Sequence, residues 1–446
     1  MADNYQYGTD ALWDTPFFLF LLRIRLWRTV FVGTERKKKE QQLRIDFPGG
    51  NMKKYDVIVV GAGAAGFGAA MGAARTGKKV LLVDRNSTPG GSTVFCGTPV
   101  FTPYKSFKDL PKQGIFAEFI EKAGDRCLKN PSNGAYNISE FDTALLMTRL
   151  LKDSGVDMLF YAALVGGTFQ EGKIRKITLF CCGKNLEFSA DHFVDTTGDA
   201  VLSVMAGCPV NEPPVDESMT KTVLFKVTGV KNFDKKKLAE LFPQLDFPYP
   251  WQDRFMGGPA APDGEDILLN LTAVAGNALD PFELTEMDIQ LREQVFTVCD
   301  WMRRKLPGFE NARPVFVAPQ IGVRFSRCIV GREQISCADL DNGTPVAEPV
   351  AWGRRSYGDH FTKTFKSPWG RSNMGMRSIP YGALLPQNIS NLTVGGRCIS
   401  IDPKVATAIR YAPCCMTTGQ AAGIAAALGI PGYDTLKQEL LKQNLI

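Results

Sequence analysis

Eleven cysteines are spread over this 446-residue chain, yet no two stand in a C-x-x-C pair. Zinc ribbons and the common iron–sulfur spacings are therefore not expected, and no metal site is assigned. Cys181-Cys182 and Cys414-Cys415 are adjacent, which suits neither a chelate nor an ordinary disulfide. The cysteines read as reduced, small core residues of a cytoplasmic protein. Histidine is scarce: His192 and His360 are the only two, and His192, in "DHFVDTTGD", reads as structural. Long apolar runs are missing too. In "FFLFLLRIRLWRTVFVG" the arginines Arg23, Arg25 and Arg28 interrupt the run well short of the roughly 20 residues that span a bilayer. Asp3, Asp10 and Asp14 stand where a signal peptide would be basic. No strong charge excess exists. A net +6 does not point to nucleic acid, but it suits an anionic cofactor or substrate.

The composition that remains, 44% hydrophobic and 22% charged, is that of a globular protein with room for two or three structural units. Residues 1–51, with the solvated "ERKKKE", read as an accessory segment in preference to a basic membrane-surface helix. The pattern changes at Tyr55. "YDVIVV" is a buried strand, "AAGFGAAMGAARTG" a small-residue helix ending at Gly77, and "KKVLLVD" a second strand, which together make a βαβ unit. "SEFDTALLMTRLLKDSG" predicts an amphipathic helix with a Ser-x-x-Asp cap. The stretch from Met158 to Asp199 reads as a β-meander with turns at Gly166-Gly167, Glu171-Gly172 and Gly183-Lys184. "DPFELTEMDIQLREQVFTVCDWMRRKLPG" predicts a long helix closed by Pro307-Gly308.

Gly61, Gly63 and Gly66 form G-x-G-x-x-G between the first strand and its helix, spanning Ala64 and Ala65. The first glycine permits the turn, the second lets a pyrophosphate approach the backbone, and the third lets helix and strand pack closely. The helix N-terminus then faces the phosphates with unpaired N–H groups. Asp84 ends the second strand, placed to accept hydrogen bonds from ribose hydroxyls. This fingerprint does not separate NAD from FAD.

Further along stand "RNSTPGGSTVF", "DTTGDA", "IGVRFSRCIVG", "IPYGALLP", "GGR" and "CCMTTGQAAG". In this order they resemble the FAD-dependent oxidoreductase family of the glutathione-reductase-like flavoprotein superfamily, with a distant similarity to fumarate reductase and succinate dehydrogenase flavoproteins. The resemblance covers residues 52–446. It implies a Rossmann-like α/β FAD-binding domain with a β-meander, split in sequence by an inserted α+β cap. It implies non-covalent FAD, since no histidine stands near these motifs. The ADP half would lie over Gly61–Gly66, with Asp84 on the ribose, Arg85 near the adenine and backbone near Val165 at the adenine edge. Gly90, Gly91 and Ser92 offer a second close backbone approach. Gly198 and Asp199 would help close the site, and Gly396 and Arg397 would lie near the ribityl chain. A helix opening near Cys415 and Met416 would aim N–H groups at the flavin N1/O2 edge.

No second glycine fingerprint exists for a nicotinamide nucleotide, and the C-x-x-x-x-C redox pair of the disulfide reductases is missing. Electrons are expected to pass directly to a small-molecule substrate, to a small donor, or to a partner protein. Arg324, Arg327, Arg377 and Arg410 are candidates for holding carboxylates. Arg410 is preferred because it precedes the flavin-facing helix, and Tyr381 and Arg324 complete the catalytic candidates. Phe325 stands where relatives carry an acid, and Cys96 follows the glycine pair without an activating neighbour. The expected organisation is an accessory or non-native extension over 1–51, FAD domain over 52–205, cap over 206–385 and FAD domain again over 386–446, with function beginning at Met52. The expected function is hydride transfer between flavin and a small anionic or carbonyl-bearing substrate. The alternatives are an electron-transfer subunit of a larger complex, or a lyase or isomerase using flavin without net redox change.

Overall fold

The apolar run at Tyr55 forms the strand β1 (Lys53–Val60), buried on both faces because it lies inside a parallel sheet. This is seen in a computed structural model that describes residues 53–101, 114–129, 135–249, 254–260, 266–354 and 376–446. The expected accessory segment, the expected start at Met52 and His360 lie outside the described residues. After β1 come the helix α1 (Ala64–Ala74) and the strand β2 (Val80–Val83). The helix α2 (Glu140–Asp153) is capped by Ser139, whose side chain accepts from Asp142 N at 3.0 Å. It is followed by β3 (Asp157–Leu159), β4 (Ala163–Gln170), β5 (Lys173–Cys181) and β6 (Lys184–Asp195).

The sheet order is β3–β2–β1–β6–β5–β4. β3, β2, β1 and the second half of β6 run parallel, while the first half of β6 pairs antiparallel with β5, and β5 with β4. The long strand β6 thus joins the meander to the dinucleotide-type sheet. His192 lies in β6 opposite Val57, and burial lowers its pKa. One expected turn is corrected. Gly166 and Gly167 lie inside β4, where the register to β5 shifts between Leu164 and Gly166. Glycine in a strand here marks a bulge and not a chain reversal. The reversals are at Glu171-Gly172, as expected, and at Cys182-Gly183, one residue before the expected Gly183-Lys184 because Lys184 already pairs with Cys181; all four loop residues have positive φ.

A second core lies between the two halves of the first. The strands β7 (Phe225–Thr228), β8 (Gly257–Pro259) and β9 (Ile267–Leu269), the helix α3 (Pro281–Lys305) and the strand β10 (Arg313–Val317) form an antiparallel sheet, ordered β8–β9–β7–β10, with a long helix. Asp280 caps α3 by accepting from Phe282 N and Glu283 N. Phe225, Phe242, Leu291, Trp301 and Phe309 build this core. It draws on residues from Val223 to Ala318, whereas Phe325, Ile335, Val350, Ile379 and Leu385 pack into the core of the first unit. The separate core therefore ends well before 385, the expected cap boundary. The chain returns to the main sheet as β11 (Leu392–Val394), parallel to β6, and then as the helix α4 (Ala412–Ala427).

α4 and α1 cross in backbone contact. A Cβ on Gly68 would lie 2.1 Å from Met416 O, one on Gly419 2.0 Å from Ala65 O, and one on Gly423 2.0 Å from Ala69 O. This is why glycine and alanine recur along the facing sides of both helices. The crossing carries the N-terminus of α4 to the side of the glycine turn, although 351 residues separate Ala412 from Gly61.

Candidate active site

The glycine turn is locked from three sides. Gly61 has φ +101°, and a Cβ there would meet Thr196 O at 2.6 Å. Thr196 Oγ1 donates to Val60 O at 2.9 Å and is 2.7 Å from Gly61 O. A Cβ on Gly66 would fall 1.7 Å from Gly61 O, so α1 rests directly on the turn. Gly63 is different: a Cβ there would meet only Gly91 Cα, at 3.9 Å. Its side is open, as a pyrophosphate approach requires. Gly63 is also the N-cap of α1 and carries no side chain, so the first-turn N–H groups of Ala64, Ala65 and Gly66 face outward without a capping partner.

The Gly90-Gly91 loop forms the opposite lip. Gly90 N donates to Ala62 O at 2.8 Å. Gly91 sits at φ +51° with a Cβ position 2.8 Å from Gly63 Cα. Ser92 follows, exposed, at the start of a one-turn helix. Asp84 Oδ2 accepts from Ala62 N at 2.5 Å and Oδ1 from Asn86 N at 2.8 Å, which fixes the carboxylate beside the turn. Arg85 is exposed next to it. Val165 is half exposed, and the bulge removes it from the β4–β5 pairing.

A second group gathers around Asp199. Asp195, fully buried, organises the "DTTGDA" turn by accepting from Thr197 N, Thr197 Oγ1, Ser203 N and Ser203 Oγ. Asp199 then accepts from Ser326 Oγ at 2.5 Å and Arg397 Nη2 at 2.7 Å, while its carbonyl accepts from Arg327 Nε at 2.6 Å. Burial pushes the Asp199 carboxyl up, but Arg397, the Ser326 hydroxyl and Arg85 outweigh it and hold the pKa below the ordinary value. Ser326 is a site residue that the sequence does not announce, while Arg327, a candidate for holding a carboxylate, gives its Nε to the Asp199 backbone carbonyl. Ser326 of the "RFSR" segment stands 127 residues from Asp199 in sequence, and nothing local marks the two as partners. Gly396 lies at the end of β11, where a Cβ would stand 2.8 Å from Ala65 Cβ and 3.9 Å from Cys415 Sγ.

Several expectations change. α4 begins at Ala412, with Tyr411 as N-cap. Cys415 N already donates to Tyr411 O, and Met416 lies one residue deeper in the helix. The amides left for a ligand at this helix opening are those of Ala412 and Cys414, since Pro413 has none. Burial pushes the Cys415 thiol up to about 12, against Arg397 and Arg410, and the Cys96 thiol up to about 11. Tyr381 is 3% exposed and its hydroxyl donates to Pro431 O at 3.1 Å. Burial raises its pKa to about 12. It is a packing residue and not a proton donor in the cleft. Arg324 Nη1 donates to Thr220 O and Thr220 Oγ1, which ties it to the second core's flank and not to the glycine turn. Arg377 Nη1 donates to Asp339 O and Thr344 O.

Arg410 makes no hydrogen bond or ion pair among the described residues; its Nε is buried without a partner and its guanidinium lies 5.1 Å from the Tyr411 ring centre. Arg397 Nε is likewise buried and unpartnered. Two cationic groups with unmet donors, beside an uncapped helix end and an open glycine lip, fit an anionic dinucleotide and an anionic co-ligand. The family model for FAD dependent oxidoreductases matches residues 56–440. The chain belongs to the FAD dependent oxidoreductase family.

Its cofactor is FAD. A urocanate reductase of Eggerthella lenta is 39% identical over 93 residues, 21% of this chain and 15% of that protein. A soluble pyridine nucleotide transhydrogenase of Hahella chejuensis is 45% identical over 62 residues, 14% of this chain and 13% of that protein. The chain thus matches only a small part of the length of these relatives. Among solved structures, a geranylgeranyl bacteriochlorophyll reductase-like protein of Thermoplasma acidophilum covers 88% of this chain and 83% of its own, with 16% identity and a TM-score of 0.47. A glycine oxidase of Geobacillus kaustophilus covers 88% and 98%, with 12% identity and a TM-score of 0.45. Among the described residues of this FAD dependent oxidoreductase, no helix is long and apolar enough to cross a membrane.

Proposed function

We propose that this FAD dependent oxidoreductase exchanges a hydride with a small organic substrate that carries a carboxylate or a carbonyl group. The observation that carries the proposal is the buried Nε of Arg410, unpartnered among the described residues, one residue before the N-cap of α4. A buried guanidinium N–H left without an acceptor is costly unless a ligand anion meets it. Its planar fork suits a carboxylate bidentately.

FAD, when bound, supplies the ring that takes or gives the hydride. The chain supplies the rest. Gly63 and the first-turn amides of α1 would hold the pyrophosphate, Asp84 the ribose hydroxyls, and Gly90, Gly91 and Ser92 the opposite lip. Gly198, Gly396 and Arg397 would line the path between the two halves of the cofactor, with Asp199 holding Arg397. The amides of Ala412 and Cys414, with the partial positive charge of a 16-residue helix behind them, would favour negative charge at the far end. Arg410 would orient the substrate there. The test is an anaerobic screen of carboxylate and carbonyl compounds, followed by flavin bleaching or reoxidation. A reactive compound should lose its effect in Arg410→Ala while the flavin stays bound. Reactivity confined to uncharged, carbonyl-free compounds would refute the proposal.

A further inference from the structure

We propose that Asn270 is a specificity-determining residue of this protein, its side-chain oxygen accepting a hydrogen bond from an O–H or N–H group of the substrate. This deepens the proposed function and rests on its reading of a small carboxylate or carbonyl substrate. In the sheet of the second core, Phe225 pairs with Leu269, and Lys226 with Leu268 and Phe316. Successive strand residues point to opposite faces. Val223, Phe225 and Val227, with Ile267, Leu269 and Leu271, point into the second core. Thr222, Leu224, Lys226 and Asn270 alternate with them and point the other way. That outer face lies on the lip of the cofactor cleft. A Cβ on Gly97 would stand 3.5 Å from Leu224 Cβ, and one on Gly322 would stand 3.3 Å from Thr222 Cγ2 and 3.7 Å from Cys96 Cβ. Gln320 N donates to Phe95 O at 2.9 Å. Thr222 and Asn270 are therefore held over the loop that continues from Gly90, Gly91 and Ser92.

Counting hydrogens tells which end of the amide is presented. Thr222 Oγ1 lies 2.8 Å from Thr272 O, 3.0 Å from Asn270 Oδ1 and 3.1 Å from Thr272 Oγ1. The Thr272 hydroxyl donates to Val223 O at 2.8 Å and accepts from Val223 N at 3.0 Å, so its own hydrogen is committed. Thr272 is buried, and its carbonyl has no other partner among the described residues. Thr222 has one hydroxyl hydrogen. The buried carbonyl takes it, because an orphaned carbonyl is costly. An amide oxygen facing Thr222 would then meet only a lone pair. With the amide turned over, Nδ2 donates to Thr222 Oγ1, every group is met, and the oxygen faces outward. The two ends of an amide have the same shape, so the network decides between them. Apart from Thr222, the Asn270 side chain has no hydrogen-bond partner among the described residues, and it is partly exposed. A fixed oxygen on this face selects a donor. The substrate class narrows to hydroxy or amino acids and to carbonyl compounds that carry a hydroxyl or an amine.

The test uses full-length protein with FAD bound and paired probes: lactate and propionate, alanine and propionate, malate and succinate. In each pair the first member adds one donor group to the second. Anaerobic titrations read binding from the perturbation of the flavin absorption spectrum or from flavin bleaching. The wild type should bind the donor-bearing member of at least one pair about tenfold or more tightly. Asn270→Leu should abolish this preference, and Asn270→Ala, which adds no bulk, gives the same readout if Asn270→Leu does not fold. Asn270→Asp keeps an outward oxygen but loses the N–H that meets Thr222, and it should melt below the wild type. Equal binding of both members in every pair, or a preference that survives in Asn270→Leu or Asn270→Ala, overturns the proposal and leaves the carboxylate reading standing. An Asn270→Asp that melts with or above the wild type puts the oxygen on Thr222 and overturns the proposal too. If no probe perturbs or bleaches the flavin, the carboxylate reading fails and the Asn270 role fails with it.

Discussion

Arg397 lies against Gly198, and its Nη2 donates to Asp199 Oδ1 at 2.7 Å. A Cβ on Gly198 would stand 2.8 Å from the guanidinium carbon, so the glycine leaves room for the planar guanidinium to rest on the backbone. The two side chains are 21% and 30% exposed, partly screened from solvent. Ser326 Oγ shares the same carboxylate oxygen. Removing the acid should therefore cost stability and disorient Arg397. Asp199→Ala is expected to lose about 1.5–3 kcal/mol of unfolding free energy, read from denaturant titration, and to bind FAD more weakly. Unchanged values for both would remove Asp199 from the site.

The same carboxylate has a pH signature. Its folded pKa lies below the unfolded value of about 3.9. Its contribution is then fully present above that value and is lost as pH falls through the lower, folded one. The melting temperature of the wild type should exceed that of Asp199→Asn at pH 6, and the difference should shrink as pH drops below about 4. A difference that grows in acid would contradict the direction of the shift.

The two lips of the glycine cleft should respond differently to one methyl group. Gly63→Ala meets nothing nearer than 3.9 Å and should leave stability within about 0.5 kcal/mol while weakening FAD binding. Gly91→Ala meets Gly63 Cα at 2.8 Å at φ +51° and should lower both stability and FAD content. Calorimetric melting with and without FAD separates the two.

Arg410→Lys should keep the flavin spectrum and lower turnover about tenfold or more, because an ammonium cannot reproduce the bidentate fork. Steady-state kinetics on any substrate found in the screen would check this. Wild-type kinetics would make Arg410 structural.

The crossing of α1 and α4 sets the reach of the whole site. Gly423→Val would drive a side chain into Ala69 O, where even a Cβ stands at 2.0 Å. It should cost about 3 kcal/mol or more and release flavin, measured by denaturant titration and by flavin fluorescence.

Much of this architecture could be read from residues close together in sequence. The run Tyr55 to Asp84 states its strand, turn, helix and acid because each depends on local backbone requirements. The caps at Ser139 and Asp280 are equally local. What failed to show depends on distance. Tyr381 looks available in sequence because nothing nearby announces that its hydroxyl donates a hydrogen bond to Pro431 O, fifty residues on. Cys415 and Met416 were placed at the helix mouth, but Pro413 starts the helix earlier and spends their amides inside it. Gly166 and Gly167 spell a turn by composition, while pairing with β5 makes them a bulge. The Asp199 cluster joins residues 199, 326, 327 and 397, and no local pattern links them.

The central claim is that one FAD is held at the Gly63 turn of this chain. It is tested most directly by purifying the wild type and Gly63→Val in parallel, releasing bound cofactor with heat, and identifying and counting it by chromatography. The account predicts about one FAD per folded wild-type chain, and little or none in a Gly63→Val protein that still shows the wild-type circular dichroism spectrum. FMN or NAD in place of FAD, or full FAD retention in folded Gly63→Val, would contradict it.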